Sequence, residues 1–136
     1  MKEFHLQIVT PDGLAFDGKA ESLLAKTDEG DVEILANHMD YFATLGIGKA
    51  RIKMNGEEKF ASVGGGFLSV SKNSVKLVAT TFELADNIDL NRARAAKEKA
   101  ENAISNSNDE KYIALAKAKL ARALNRINVA ELSKTR

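Results

Sequence analysis

The spacing of apolar residues changes abruptly near Asp86, and this change constrains the fold more than any other feature. From Phe4 to about Thr81, apolar residues alternate with polar ones in short segments separated by turn formers, which is typical of strands in a sandwich or barrel. After Asp86 the period is about 3.6, and alanine becomes the dominant apolar residue, as in helices. The sequence therefore predicts an α+β chain, with a β domain over residues 1–85 and helices over residues 86–136.

Turn-forming residues divide the first half into strands. Pro11-Asp12-Gly13 is a turn sequence that ends a first strand near Val9. Asn55-Gly56 lies between two alternating segments and predicts a hairpin with a type I′ turn. A second hairpin is predicted across Lys72-Asn73-Ser74. Gly64-Gly65-Gly66 resembles a phosphate-binding loop, but such loops open a helix and here a strand-like segment follows, so we expect a bulge or a close backbone approach.

The residue pattern contains no catalytic or metal-binding set. His5 and His38 have no Cys or His partner at ligand spacing, no serine lies in a nucleophile-elbow pattern, and the chain has no cysteine. The acidic segment 28–33 lacks the alternating oxygen ligands of a calcium loop, so it is interpreted as a solvated turn that faces a partner. The sequence therefore predicts a protein that is not an enzyme.

Composition excludes two further classes. No apolar segment approaches the ~20 residues that span a bilayer. Residues 1–85 carry 9 Lys and Arg against 12 Asp and Glu, whereas residues 86–136 carry 11 against 7. This mild excess of basic residues is mixed with acids, unlike the clustered Lys and Arg of a nucleic-acid footprint. We therefore expect neither a membrane-spanning protein nor a nucleic-acid partner.

The second half predicts an antiparallel pair of helices. Asp89 is a candidate N-cap for the first helix and Asp109 for the second, after a link of turn formers over residues 105–109. The second helix is expected to reach about Leu132. Such a pair buries little by itself, so two interpretations stay open: a mobile hairpin, or one that is permanently docked and completes the fold. The predicted contact stripes are Ala93, Ala96, Ala100 and Ala103 in the first helix, and Ile113, Ala116, Leu120, Ala123, Ile127 and Ala130 in the second.

Charged residues are predicted to meet at the open end of this hairpin. An antiparallel arrangement places Asp89 and Arg92 opposite Arg122 and Arg126, and the first helical turn adds free N–H groups and a positive dipole end. This arrangement suits an anion such as a phosphate. The alternative is an ordinary exposed ion pair between Asp89 and Arg126, which stabilises a protein by ~0–1 kcal/mol.

Four segments, in order along the whole chain, resemble one family. They are Gly30–His38, Val63–Val70, Ile88–Ala93 and Asn128–Leu132. The chain resembles the epsilon subunit of a bacterial rotary ATP synthase. The resemblance implies a flattened β-sandwich that binds the gamma subunit and the membrane rotor c-ring, followed by a hairpin that switches between compact and extended states. Extended, the hairpin reaches the catalytic alpha and beta subunits and inhibits ATP hydrolysis.

The resemblance also implies a location and a regulatory ligand. The subunit is expected to be peripheral, at the cytoplasmic face of the bacterial cell membrane, in a proton-translocating enzyme. No cofactor is required, but some relatives bind ATP, with or without magnesium, in the compact hairpin. A free-standing nucleotide-sensing module is the alternative function. The residues that match the ATP site are Glu83, Ile88, Asp89, Arg92, Ala93, Lys99, Arg122 and Arg126.

Two departures from the family pattern bear on these expectations. Lys99 and Leu115 stand where ATP-binding relatives carry arginine, and lysine lacks the bidentate fork of a guanidinium. The loop over residues 36–40 lacks the two prolines that are usual in the family, which is expected to loosen it. By resemblance, Asp31 and His38 are the candidate residues for contact with the rotor ring.

Overall fold

The computed structural model describes residues 2–134, which form two compact units that meet between Leu84 and Ala85. The first unit is all β, and the second contains a short 3₁₀ turn and two helices. The strands are β1 (Phe4–Thr10), β2 (Gly13–Ala20), β3 (Ser22–Thr27), β4 (Gly30–Leu35), β5 (Tyr41–Met54), β6 (Glu57–Ser71) and β7 (Ser74–Leu84); the 3₁₀ turn is Ala85–Asn87, and the helices are α1 (Leu90–Ser105) and α2 (Glu110–Lys134).

The seven strands form one continuous sheet in the order β2-β1-β7-β6-β5-β3-β4. Only β1 and β7 are parallel; the other neighbours are antiparallel. β1 pairs with the first half of β7, whereas β3 pairs mainly with the second half of β5. The three long strands β5, β6 and β7 therefore run through both halves of the sheet, and the sheet folds over one core as a sandwich.

Glycines in β6 mark the corner where this sheet folds over. Ala61 and Val63 face the core before the corner, but Leu68 and Val70 face it afterwards, so the buried phase shifts from odd to even positions. Gly65 and Gly66 lie between them with φ of 74° and 121°. Only glycine adopts such angles readily. The predicted structural role of the three glycines is confirmed, because β6 continues as a strand.

One cluster of buried side chains fills the β unit. Its largest fully buried members come from β1, β3, β4, β5, β6 and β7, so nearly every strand contributes to the same core. Burial at ~25 cal/mol per Å² of apolar surface makes this cluster the main source of stability for the unit. These members are Phe4, Leu6, Ile8, Leu23, Ile34, Ile52, Leu68, Val75 and Leu77.

The predicted hairpins are confirmed, with one correction. Asn55 and Gly56 both have positive φ, 53° and 79°, and join β5 to β6 as a two-residue turn. Lys72 and Asn73 join β6 to β7 in the same way, and Ser74 already belongs to β7. The interpretation of residues 28–33 as a turn is wrong for residues 30–33, because they pair with β3 as part of β4.

Both helices begin at the predicted caps. Asp89 has extended backbone angles and its side chain accepts a hydrogen bond from the N–H of Arg92 at 3.1 Å. Asp109 accepts one from the N–H of Lys111 at 3.0 Å. The four residues between α1 and α2 make a short link, and the two helices pack along each other. The predicted α+β class, a β-sandwich followed by a helical hairpin, is confirmed.

The contact stripes of the helices agree with the sequence pattern except at Ala96. Ala93 and Ala100 are buried, whereas Ala96 is exposed. Ala103 is half-buried, so the stripe of α1 is interrupted at Ala96. Every predicted stripe residue of α2 is buried or half-buried. Among residues 2–134, neither helix has the length and apolarity that crossing a membrane requires.

Candidate functional site

The start of α1 and the two residues before it include four of the residues that were predicted to bind a nucleotide. Ile88 is buried and donates its N–H to the carbonyl of Ala85 at 3.3 Å. Asp89 caps the helix, and its own carbonyl accepts from the N–H of Ala93 at 3.0 Å. Ala93 is fully buried and Arg92 is exposed. This segment therefore presents one carboxylate and one guanidinium beside two buried apolar residues.

Two arginines lie on one face of α2 near its C-terminal half. Arg122 is exposed and Arg126 is half-buried. They are four residues apart, so their side chains point the same way one turn apart. Asp89 and Arg126 lie at equal distances in sequence from the middle of the link. Because both helices rise by the same distance per residue, the two residues lie at the same height along the axis of an antiparallel hairpin.

This end of the hairpin can hold an anion through side chains. The Asp89 carboxylate already satisfies one of the free N–H groups of α1, so the backbone offers less to a ligand than an uncapped helix would. Arg92, Arg122 and Arg126 bring three guanidiniums, each able to bind phosphate with two parallel hydrogen bonds. Lys99 is exposed two turns after Arg92 on the same side of α1. A polyphosphate fits this chemistry better than a single monoanion does.

The remaining candidate for the nucleotide site belongs to the β unit. Glu83 is half-buried near the end of β7 and pairs in register with Ser62 of β6. The residues of the hairpin cluster all follow Ala85, so Glu83 is the one member from the other unit. Among residues 2–134, no group of His, Cys, Asp and Glu has the arrangement of a metal site.

The candidate residues for ring contact are Asp31, which lies in β4, and His38, which lies in the loop after it. Asp31 is exposed near the start of the strand and pairs with Lys26 of β3. His38 lies three residues beyond the end of β4, with its Nδ1 2.8 Å from the carbonyl oxygen of Met39. Its ring meets Tyr41 edge-on with centroids 5.8 Å apart. The two candidates therefore lie toward opposite ends of one strand.

Hydrogen bonds hold the loop that contains His38. The N–H of His38 donates to the carbonyl of Leu35 at 3.2 Å and closes a tight turn. Asn37 has a φ of 65°, and its N–H donates to the side-chain oxygen of Asn73 at 2.7 Å. Met39 follows with 75% of its surface exposed. Contacts from another hairpin thus restrain a loop that has no proline.

An apolar row crosses the outer face of the β unit. The register aligns Phe67 with Val78, Val78 with Val9, and Val9 with Leu14, so the row runs over β6, β7, β1 and β2. Leu14 is 58% exposed and the other three are half-buried. Phe42 of β5 is 64% exposed and stacks on Phe67 with centroids 5.3 Å apart. We call these five residues the apolar row.

Sequence reasoning missed the apolar row, although the signal was present. In a strand, every second residue faces the core, and the residues between them face outward and are usually polar. The pairs Ile8-Val9, Phe67-Leu68 and Leu77-Val78 put apolar residues in both phases. Contiguous apolar surface on an outer face is typical of a site for protein contact.

Comparisons with known proteins cover both units. A family model described as the β-sandwich domain of the ATP synthase delta/epsilon chain matches residues 3–85. A second, described as the long α-helix domain of the same chain, matches residues 86–131. Together the two matches span nearly the whole chain and divide it at residue 85.

Individual proteins give the same result. The ATP synthase epsilon chain of Bacillus velezensis is 40% identical over 130 residues, covering 96% of this chain and 98% of that protein. The epsilon chain of Levilactobacillus brevis is 40% identical over 129 residues and 93% of both proteins. A solved structure of the Euglena gracilis mitochondrial ATP synthase contains a chain with the same fold: the TM-score is 0.79 at 20% identity, over 97% of this chain and 81% of that one.

Proposed function

This chain belongs to the delta/epsilon chain family of ATP synthase, and from that premise we propose that it works as the epsilon-type subunit of the central stalk. In this proposal it joins the gamma subunit and the rotor c-ring of a proton-translocating enzyme at the cytoplasmic face of a bacterial membrane. It catalyses no reaction itself. It couples the rotor to the catalytic head and regulates it.

The apolar row is the observation that carries the structural half of the proposal. Exposing five apolar side chains to water on the outer face of a sheet is unfavourable. A partner that buries them therefore binds with a gain in free energy. We assign this row to the gamma subunit. Asp31 and His38 lie elsewhere on the β unit and are assigned to the rotor ring. The solved Euglena mitochondrial assembly of OSCP, F1 and c-ring contains a chain of this fold, which supports a place for this chain beside F1 and the c-ring.

A charge placed in the row tests this assignment. Val78→Lys puts an ammonium group into the proposed interface, where burial without a partner costs on the order of 2 kcal/mol, or about 30-fold in affinity. Lys76→Ala is the matched control, because Lys76 lies two residues away on the same outer face of β7. Binding to purified gamma subunit is measured for both. Equal affinities for Val78→Lys and the wild type would contradict the assignment.

The helical hairpin is proposed to be the regulatory part. Its two helices form a separate compact unit from Ala85 onward, so it can be removed without interrupting a strand. We propose that it is compact in one state and that in the other it extends to the alpha and beta subunits and inhibits ATP hydrolysis. Deleting residues 85–136 is then expected to raise the hydrolysis rate of the assembled enzyme. An unchanged rate would remove the inhibitory role and leave the stalk role intact.

We propose further that the compact hairpin binds ATP, with Arg92, Arg122 and Arg126 holding the phosphates. The support is the shared level of Asp89 and Arg126 and the common face of the two α2 arginines. Magnesium, where it accompanies the nucleotide, is expected to be held by the phosphates, because the described part of the hairpin has no cluster of metal ligands. ATP in this site is a regulatory ligand and no residue is proposed to hydrolyse it.

Titration of the full chain with ATP tests this site. Amide shifts at residues 89–92 and 122–126 are expected to saturate in the wild type and to be lost in Arg126→Ala. Lys119→Ala is the control, because Lys119 is an exposed cation about two turns before Arg126 on α2. Loss of ATP binding in both variants would indicate general attraction between charges and not a specific site. If the wild type does not bind ATP, the proposed site is contradicted.

A free-standing nucleotide sensor is the second candidate function. It is favoured by the fact that seven of the eight nucleotide candidates lie in one compact unit. A stable complex with gamma subunit distinguishes the two functions. ATP binding without any affinity for gamma would favour the sensor.

A further inference from the structure

The side chain of Asn73 joins three segments of the β unit that are far apart in sequence. Its oxygen accepts the N–H of Asn37 at 2.7 Å, and its nitrogen donates to the carbonyl of Glu3 at 3.1 Å. The backbone carbonyl of Asn73 also accepts the N–H of His5 at 3.2 Å. Because Asn37 offers a donor and Glu3 an acceptor, both ends of the Asn73 amide are used in one orientation.

The turn itself does not require asparagine at this position. Lys72 and Asn73 both have positive φ, 52° and 61°, and the lysine shows that the turn accepts a residue with no local hydrogen-bonding side chain. Asparagine tolerates positive φ well, but glycine does so better. The turn conformation therefore does not by itself require the Asn73 side chain.

The segment that Asn73 restrains is the loop over residues 36–40. It carries His38 and the exposed Met39, and it contains no proline, since the one proline of the chain is Pro11. One internal bond, from His38 N–H to Leu35, closes a turn in it. The bond from Asn73 is made from outside the loop and fixes the position of that turn relative to the sheet.

We propose that Asn73 is a positioning residue that holds the 36–40 loop in the conformation that contacts the rotor ring. This inference rests on the proposed function, which assigns His38 to that contact. A loop that is ordered before binding loses less conformational entropy on binding. Asn73 acts on the loop through its hydrogen bond to Asn37.

The first test is made on the isolated full chain by NMR, as the solvent exchange rate of the Asn37 amide. Asn73→Gly keeps the turn, because glycine favours positive φ, and removes both side-chain bonds. We expect Asn37 exchange to accelerate by about fivefold or more, as for the loss of one hydrogen bond. Asn73→Asp keeps the acceptor for Asn37 but not the donor to Glu3, so exchange is expected to stay slow. Lys72→Gly, at the neighbouring turn position, is the control.

The second test is the affinity of the same four proteins for the enzyme's own assembly of gamma subunit and rotor ring. Asn73→Gly is expected to bind about fivefold more weakly, with Asn73→Asp and Lys72→Gly near the wild type. Unchanged Asn37 exchange in Asn73→Gly would show that the Asn73 side chain does not restrain the loop, which would overturn the proposal. Faster exchange with unchanged affinity would overturn the positioning role. A wild type that does not bind the assembly would overturn the proposed function and the positioning role together, and the exchange rates would still decide whether Asn73 restrains the 36–40 loop.

Discussion

The carboxylate of Asp89 accepts a hydrogen bond from the backbone N–H of Arg92 at 3.1 Å, so one charged residue of the proposed nucleotide site is also the cap of α1. A cap satisfies a donor that the helix leaves free, and the same carboxylate lies in the field of the helix dipole. Folding and ligand binding therefore compete for one side chain, and variants at this position need to separate the two.

Alanine and asparagine at position 89 are expected to isolate the capping role. Asp89→Ala removes the cap and is expected to lower the free energy of unfolding by about 1 kcal/mol, whereas Asp89→Asn keeps a capping oxygen and costs much less. Asp109→Ala is the matched control, since Asp109 caps α2 by the same kind of bond. Urea unfolding followed by helical circular dichroism measures all three. A loss in Asp89→Asn as large as in Asp89→Ala would show that capping is not the stabilising role.

The fold could be predicted from the sequence where local chemistry decides it. Asn55-Gly56 favours a two-residue hairpin turn, and Asp89 favours a helix N-terminus. Both features could therefore be predicted from local sequence, without the rest of the chain. The bond between Asn73 and Asn37 could not be predicted, because it joins residues 36 positions apart that only the folded sheet brings together. That Asp89 and Arg126 lie at the same height along the hairpin could be predicted, because a short link between two helices fixes their register.

Replacing Leu115 is expected to strengthen ATP binding by the hairpin. Leu115 is 65% exposed on α2 and lies seven residues before Arg122, on the same face of the helix. Leu115→Arg adds a third guanidinium to that face of α2, beside Arg122 and Arg126, and a further charge-assisted contact to phosphate is expected to raise affinity by about tenfold. Calorimetry with ATP measures it, and Leu124→Arg, an exposed leucine on another face, is the control. Equal gains in both variants would assign the effect to net charge.

Acid is expected to weaken a contact between β1 and β2. His5 Nε2 lies 2.5 Å from Asp17 Oδ1, and this hydrogen bond, with a weaker one from Gln7, holds the pKa of Asp17 below its ordinary value of 3.8. A lowered pKa means that the contact contributes stability above pH 3.8, which is lost as the pH falls through the folded-state pKa. Carbon NMR titration of the carboxyl is expected to show its midpoint rise toward 3.8 in His5→Ala, and less in Gln7→Ala. A midpoint unchanged in His5→Ala would contradict the assigned cause.

The corner of the sandwich is expected to tolerate no side chain at position 66. Gly66 has a φ of 121°, and a Cβ there would overlap the carbonyl oxygen of Val78 and lie 2.9 Å from the Cα of Ala79. These are backbone atoms of the paired strand. The clash can therefore be removed only if β6 and β7 separate at the corner of the sandwich. Gly66→Ala is therefore expected to lower the free energy of unfolding by about 3 kcal/mol or more.

Gly56→Ala is the matched control, because Gly56 also has positive φ but its Cβ would meet open space, and its expected loss is about 1 kcal/mol. Urea unfolding of the two variants measures the difference, and equal losses would mean that backbone angle alone, and not the approach of β7, selects glycine at the corner.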